Sequence, residues 1–349
     1  MRLTSINEYI IEKSIMAKIN FQTICSDLIK NLPDKGKEVI VRRFGLDGLH
    51  RETLDAIGQD HGITRERVRQ IQEVAMSKID DGVQKYQSVF DGFEREIRSH
   101  GGLKKESILL GILGDGDNQN QVFFLLTLGK PFARFTESDD FHTFWTTEQK
   151  PMDGLKKTVS AFYKFLNKNK KPISLQDTSV KKDFGKNLKT EHLQSYLEVS
   201  KNIQSNQENL WGLKEWPEIN PRGIKDRAYL AFKKEQRPLH FQEVARLIGD
   251  SANIQSVHNE LIRDARFVLV GRGLYALKEM GYMPGVVKDV IMNILKKSQK
   301  PLTPQEIVAE VSKQRIVKEN TILINLNNKK FFLRNQEGKY SFVKGVRSI

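Results

Sequence analysis

One cysteine, Cys25, stands in 349 residues, so no disulfide can close within the chain. That excludes the small secreted folds stapled by several bridges and fits a reducing compartment. Cys25 falls in the helical spacing Phe21, Ile24, Cys25, Leu28, Ile29, which suits a small buried residue better than a nucleophile. Long apolar runs are missing too. Nothing approaches the ~18 residues of a membrane helix. The first residues, broken by Glu8, Glu12 and Lys13, hold no apolar stretch of the roughly 7–15 residues of a secretory signal. The protein is therefore expected to stay where it is made.

Chemistry-bearing patterns are equally sparse. The seven histidines, His50, His61, His100, His142, His192, His240 and His258, never sit four residues apart on a helix, and there is no cysteine pair. A zinc site is not expected. No glycine-rich phosphate loop and no G-x-S-x-G elbow occurs. Gly114-Asp115-Gly116-Asp117 lacks the later carboxylates of a calcium loop and reads as a turn. No cofactor, metal, catalytic residue or small-molecule substrate is expected, and the protein does not read as an enzyme.

What the chain does have is positive charge. Lys and Arg total 57 against 43 Asp and Glu, a net charge of +14. An anionic partner follows, nucleic acid first. Hydrophobic content of 38% with 29% charged residues suits several small modules better than one large core.

From Leu32-Pro33-Asp34 a helix carries Val39, Ile40 and Phe44, and Gly45-Leu46-Asp47-Gly48 ends it. A second runs from Glu52 to His61 with Leu54, Ile57 and Gly58 on one side. Ile63 follows, and Thr64 is a good N-cap for a third helix from Arg65. Its apolar residues Val68, Ile71, Ala75 and Ile79 are spaced three, four and four, one stripe of 3.6-residue period. The stripe is expected to pack on Leu54, Ile57 and Ile63. Arg65, Glu66, Arg69, Gln70 and Glu73 are then left facing outward. Arg can pair with guanine, Gln with adenine and Glu with cytosine, so the first turn of this helix is suited to base edges in a major groove.

These words, together with Arg42-Arg43-Phe44-Gly45-Leu46-Asp47, Thr53-Leu54-x-x-Ile57-Gly58 and Thr64-Arg65-Glu66-Arg67-Val68-Arg69-Gln70-Ile71, closely resemble region 4 of the sigma-70 family of initiation factors. The resemblance covers about residues 21–80. It implies a helix-turn-helix reading a promoter −35 element, with Arg65, Glu66 and Gln70 on bases and Arg67 and Arg69 on phosphate or bracing the helix. It places Thr53, Leu54 and Thr64 against the DNA and makes Arg42 and Arg43 phosphate candidates. It also implies double-stranded promoter DNA and the β flap of core RNA polymerase as partners, and hence a cytoplasmic, nucleoid-associated protein with no membrane contact. About 30 residues precede Leu32, too few for the two other domains of a complete sigma factor, so promoter opening by this chain alone is not expected.

The remaining two-thirds repeats itself. Arg237-Pro238-Leu239-His240 precedes a helix, a further helix spans Ile254 to Asp264, and Phe267–Val270 and Leu274–Leu277 alternate about a glycine turn. The order recurs after Lys300-Pro301-Leu302-Thr303 and after Lys171-Pro172-Ile173-Ser174, with prolines 66 and 63 residues apart. A weaker copy runs from Val89, with its third helix at Val122 to Leu128 and its wing from Phe132 to Trp145. Three helices and a hairpin make a winged helix. Pro-Leu-x-x-x-Glu-[Val/Ile] and Gly-x-Tyr-x-[Leu/Phe] in the last two copies resemble the HARE-type helix-turn-helix of the RNA polymerase delta subunit, though without delta's acidic tail.

The expected fold is thus mainly α: an N-terminal helix-turn-helix domain followed by three or four tandem winged-helix modules, each α plus a small β-hairpin. The boundaries read as an extension over 1–20, the helix-turn-helix domain over 21–82, a degenerate module over 83–150 and modules over 155–217, 224–282 and 286–345. Arg263, Arg266 and Arg272, and then Lys329, Lys330 and Arg334, are candidate wing contacts to DNA. A sequence-specific transcription regulator is the expectation. A divergent sigma-like initiation factor, a delta-like polymerase accessory protein and a restriction-type specificity module are the competing readings.

Overall fold

The structure, a computed structural model, describes residues 19–343 apart from 186–187, 250–251 and 299, and of residues 80 and 81 only the backbone. The extension expected over 1–20 lies almost wholly outside the described residues. The chain divides into two compact units, residues 1–214 and 215–349.

The first unit opens with α1 (Phe21–Ile29), α2 (Asp34–Phe44), α3 (Leu54–Asp60) and α4 (Arg65–Val83). Pro33 sits one residue before the helix it introduces, as the N-cap of α2, and Gly45 ends that helix at φ 62°. A side chain at Gly45 would be strained by the left-handed backbone, and its Cβ would stand 2.5 Å from the Leu49 carbonyl oxygen. α5 (Gln87–Ser99), β1 (Leu103–Lys105), α6 (Glu106–Gly114), α7 (Gln119–Leu128), β2 (Ala133–Phe135) and β3 (Phe144–Thr146) follow. Residues 114–117 turn the chain between α6 and α7, with Asp115 and Gly116 both at positive φ.

The order helix, strand, helix, helix, strand, strand then recurs. The second copy is α8 (Pro151–Asn169), β4 (Ile173–Ser174), α9 (Thr178–Asp183), α10 (Thr190–Val199), β5 (Ile203–Ser205) and β6 (Leu210–Leu213). In the second unit the third copy is α11 (Gly223–Glu235), β7 (Leu239–His240), α12 (Phe241–Leu247), α13 (Ile254–Arg263), β8 (Phe267–Gly271) and β9 (Leu274–Leu277). The fourth is α14 (Val287–Ser298), α15 (Pro304–Ser312), α16 (Glu319–Leu326), β10 (Phe332–Arg334) and β11 (Tyr340–Phe342). The three-stranded sheets share one antiparallel order, β1-β3-β2, β4-β6-β5 and β7-β9-β8. In the fourth copy an isolated bridge from Leu302 to Tyr340 stands where the first strand would be. The molecule is thus mainly helical, with small antiparallel sheets. Among the described residues no helix is long and apolar enough to cross a membrane.

One core joins α1, α2 and α4 to the first repeat. It runs from Phe21 and Ile40 through Phe44 and Ile79 to Phe93, Leu110, Phe124 and Trp145. Phe44 meets Phe124 edge-on at 4.9 Å, a favoured aromatic geometry. The Asn120 amide donates to the carbonyls of Gly45 (3.0 Å) and Leu49 (3.1 Å), so α7 fixes the turn after α2. Cys25 is buried in the same core, and burial pushes its thiol up to about 12. The first and second repeats are tied in turn by Lys104, 4% exposed, which pairs with Glu198 at 2.8 Å. In the second unit the buried guanidinium of Arg315 donates to the Met283 and Gly285 carbonyls, and Ile316 N–H donates to Val270 at 2.7 Å. The third and fourth repeats therefore also share a seam.

Two outcomes follow. Phe124→Ala removes a fully buried ring from the shared core and should cost ~3–5 kcal/mol. Trp145 fluorescence and helical circular dichroism should then report one earlier transition rather than two. Cys25 should resist alkylation in the folded protein. Its thiol titrates above the ordinary value of 9.0, so the stability this gives is complete below pH 9.0 and is lost as pH rises toward about 12. Titrating denaturation against pH, with a Cys25→Ala control, checks it.

Candidate nucleic-acid interface

α4 is built to show one face. Thr64 caps it, its hydroxyl accepting from the Arg67 N–H at 3.2 Å. Val68 (0% exposed), Ala75 and Ile79 are buried and Ile71 half-buried, with Val39, Ile57 and Val68 forming one small cluster that Leu54 and Ile71 flank. Ile63 departs from expectation. It is 37% exposed, because the turn that carries it loops outward through Gly62 at φ 63°. α3 is capped by Thr53, whose hydroxyl accepts from Ala56 N–H at 3.1 Å. Gly58 is the close approach of the motif: a Cβ there would lie 2.7 Å from the Ile63 carbonyl oxygen and 3.4 Å from the Arg65 nitrogen. Bending α3 back onto α4 leaves no room for a side chain.

With that side buried, Arg65, Glu66, Arg67, Arg69, Gln70 and Glu73 are all exposed. Arg65, 69% exposed, is the loosest, 3.8 Å from Asp55. Arg67 donates to Gln70 at 3.1 Å. Arg69 pairs bidentately with Glu66 (2.9 and 2.7 Å) and also with Glu73. Hydrogen bonding from Arg69 holds the Glu66 carboxyl below its usual range. A shallow groove of about 220 Å³ runs beside this face, between Pro33, Lys35 and Gly36 of one helix start and Arg67, Gln70, Ile71, Val74 and Lys78 of α4.

Arg42 and Arg43 are engaged inside the domain. The Arg42 side chain, 19% exposed, donates to both Glu52 oxygens (2.9 and 2.8 Å), lies 2.9 Å from Asp60 and 3.7 Å from Glu38. It ties α2 to α3. Arg43 donates to the Glu52 carbonyl at 2.7 Å. Burial, and then the neighbouring cations Arg51, Arg134 and Arg65, lower the Arg43 guanidinium below its ordinary value. Two of those neighbours, Arg51 and Arg134, were not among the candidates expected from the sequence. The Arg51 guanidinium lies 4.2 Å over the Phe123 ring, and Arg134 from β2 lies 5.4 Å from the same ring. Arg134 also pairs bidentately with Glu106 (2.5 and 2.8 Å), to which Trp145 donates at 2.9 Å. Arg51 was legible as a third arginine near Arg42 and Arg43. Arg134 was not, since only tertiary packing brings it there.

The six wing candidates belong to the second unit. Arg263 ends α13, Arg272 lies in the turn between β8 and β9, and Lys329 and Lys330 precede β10, all exposed. Arg334 is exposed and stands 5.9 Å from the Tyr340 ring. Arg266 is spent internally, on Asp264 at 2.6 Å and Asp226 at 3.0 Å, and lies 4.8 Å from the Tyr229 ring. Among the described residues no group of three His, Cys, Asp or Glu side chains could hold a metal ion.

The family model described as "Sigma-70, region 4" matches residues 28–80. That segment is a sigma-70 region 4 helix-turn-helix. The chain is 34% identical over 68 residues to the RNA polymerase principal sigma factors HrdD of Streptomyces griseus and of Streptomyces coelicolor. The match takes in 20% of this chain and 20% of each relative, so the chain spans about one fifth of the curated relatives it matches. These findings assign residues 28–80 to a DNA-binding kind of helix-turn-helix.

The arginine roles separate by stability. Arg42→Met strips the partner from Glu52 and Asp60 and should lower the urea midpoint, whereas Arg65→Met, with no strong partner, should leave it unchanged. Glu52 is held below its usual range by hydrogen bonds from Arg42. Its contribution is therefore present above the ordinary value near 4.5 and lost as pH falls through the depressed one, and the difference between Arg42→Met and wild type should vanish in acid.

Proposed function

We propose that this protein is a sequence-specific transcription regulator that reads a promoter −35-like element with α4. The observation that carries the reading is the tip of that helix. A threonine cap and a buried stripe leave Arg65, Glu66 and Gln70 exposed together over the first two turns, where a helix laid in the major groove meets base edges. In this reading Arg65 takes a guanine and Gln70 an adenine, while Arg67 and the helix N-terminus take phosphate. Arg69 orients Glu66. Thr53, Leu54 and Thr64 hold the helix pair against the duplex. Arg42 and Arg43 brace the motif, and Arg51 and Arg134 add positive charge beside it.

The four repeats are taken as winged-helix modules, at about residues 83–150, 155–217, 224–282 and 286–345, the last two of the HARE type. Their recurring sheet order supports that. Arg263, Arg272, Lys329, Lys330 and Arg334 are their proposed contacts. Core RNA polymerase, through its β flap, is the proposed protein partner, on the strength of region 4. A cytoplasmic place at the nucleoid goes with these partners. The second reading is a polymerase accessory protein with little DNA specificity. It is favoured by the pairing of Arg69 with Glu66 and Glu73 and of Arg67 with Gln70, which leaves much of the recognition face satisfied without DNA.

Binding to promoter and to random duplexes across a salt series decides between them. Arg65→Ala or Gln70→Ala should lose ~1–3 kcal/mol on the specific site and little on random DNA. Arg67→Ala should weaken both and lower the salt slope by ~0.9. Variants indistinguishable from wild type, with polymerase still captured after nuclease treatment, would leave the accessory reading standing.

A further inference from the structure

The densest charge in the chain lies well away from region 4. Residues 156–189 contain ten lysines and two aspartates, with no arginine and no glutamate, and so carry eight of the fourteen net charges. This stretch comprises most of α8, then β4 and α9. Nine of the ten lysines are described, and all nine side chains are exposed. Among the described residues none of the nine is hydrogen-bonded to or ion-paired with a carboxylate. Elsewhere in the same unit exposed cations do find partners, as Lys30 does with Asp27 (2.7 Å) and Arg98 with Glu94 (2.7 Å). One of the two aspartates, Asp177, is already taken by the Ser179 amide (2.9 Å) and hydroxyl (2.8 Å).

The lysines are arranged, not scattered. α8 buries Leu155, Phe162 and Leu166, seven and four residues apart on one face. Lys157, Lys164 and Lys168 keep the same spacing on the opposite side, within about 40° of one another at 100° per residue. A rise of 1.5 Å per residue sets them ~10 and ~6 Å apart along the axis. Lys171 follows directly after the helix. The end of α9 is held to α8 by Phe184, which packs on Phe162 (5.4 Å) and Phe165 (5.7 Å), and this brings Lys181 and Lys182 alongside.

We propose that the second repeat grips duplex DNA by its phosphate backbone, without reading sequence, through the lysine face of α8 together with α9. The chemistry favours this partner over others. Lysine is a mobile point charge that suits a regular polyanion and does not demand the planar geometry that arginine exploits. A docking protein would call for buried aromatic or arginine anchors, and the stretch exposes one large apolar residue, Tyr163 at 38%. The apolar side of α8 is already in the core, so it has nothing to insert into a lipid surface. The same sparseness of exposed rings argues against single strands, which are held by stacking. The proposal does not depend on what α4 reads.

The test uses the full chain and a random-sequence duplex with no −35-like element. Replacing Lys157, Lys164, Lys168 and Lys171 together by Gln should lower the salt slope by ~3–4 and weaken binding at low salt at least about tenfold. Circular dichroism should be unchanged, because every altered side chain is exposed. The same four positions changed to Arg should bind as wild type. A Gln variant with unchanged slope and affinity overturns the proposal. So does loss of binding to single-stranded RNA or to an acidic protein while duplex binding stays intact. Unchanged sequence discrimination in Arg65→Ala, with the lysine effect preserved, would count against the reading of α4 alone.

Discussion

Everything the N-terminal domain can show to a ligand depends on four side chains, three buried and one half-buried. Val68, Ile71, Ala75 and Ile79 turn one side of α4 inward, and at 100° per residue that choice settles what the other side presents. Each fully buried aliphatic side chain stabilises by roughly 1.5–3 kcal/mol, against a few tenths for an exposed charge pair on a helix. The apolar stripe therefore sets the helix rotation, and the arginines and glutamates accept the positions left to them. Gly58 and the Thr64 cap complete the constraint. One lets α3 approach within backbone distance, and the other fixes where the exposed first turn begins.

The helix-turn-helix does not stand alone. Phe44 at the end of α2 packs on Phe123 and Phe124 of α7, and Asn120 of the same helix holds two carbonyls of the turn that follows α2. The first repeat is therefore part of the domain's core. The consequence is mechanical as much as energetic. A helix pair fused to a neighbour through a continuous core cannot reorient by itself, so docking α4 as proposed would carry β2 and Arg134 with it. A guanidinium 91 residues from Arg43 and 83 from Arg51 in sequence thereby becomes part of the surface beside them.

How much of this the sequence displays depends on the range of the interactions involved. α1 to α4 are legible because local signals agree: a cap, a glycine C-terminus and a 3.6-residue stripe all point the same way. The third repeat is legible because two alternating runs flank a glycine turn. α6 is not, since Glu106–Gly114 is apolar nearly all round and has no periodicity to read, and α9 has six residues. Ile63 looks like core by composition and is exposed by turn geometry. The shared core of Phe44 and Phe124, the Phe123 ring beneath Arg51, and the seam from Ile316 to Val270 join residues dozens of positions apart, and no window of sequence contains both partners.

The internal pairing of the recognition face bears on how such a surface selects. Arg69 with Glu66 and Glu73, and Arg67 with Gln70, are exposed pairs worth little in water, where each partner is nearly as well solvated alone. Exchanging them for a base edge or a phosphate costs little, provided the new partner satisfies both members. In the proposed reading of α4, a correct base pair does so. A wrong one leaves Glu66 facing an acceptor or Gln70 without its bidentate match, now in a site from which water has been squeezed out, where an unsatisfied polar group is expensive. The pairs are cheap to open in solvent and costly to leave unmatched at the interface, so the same side chains that look satisfied in the free protein can penalise the wrong sequence more than they reward the right one.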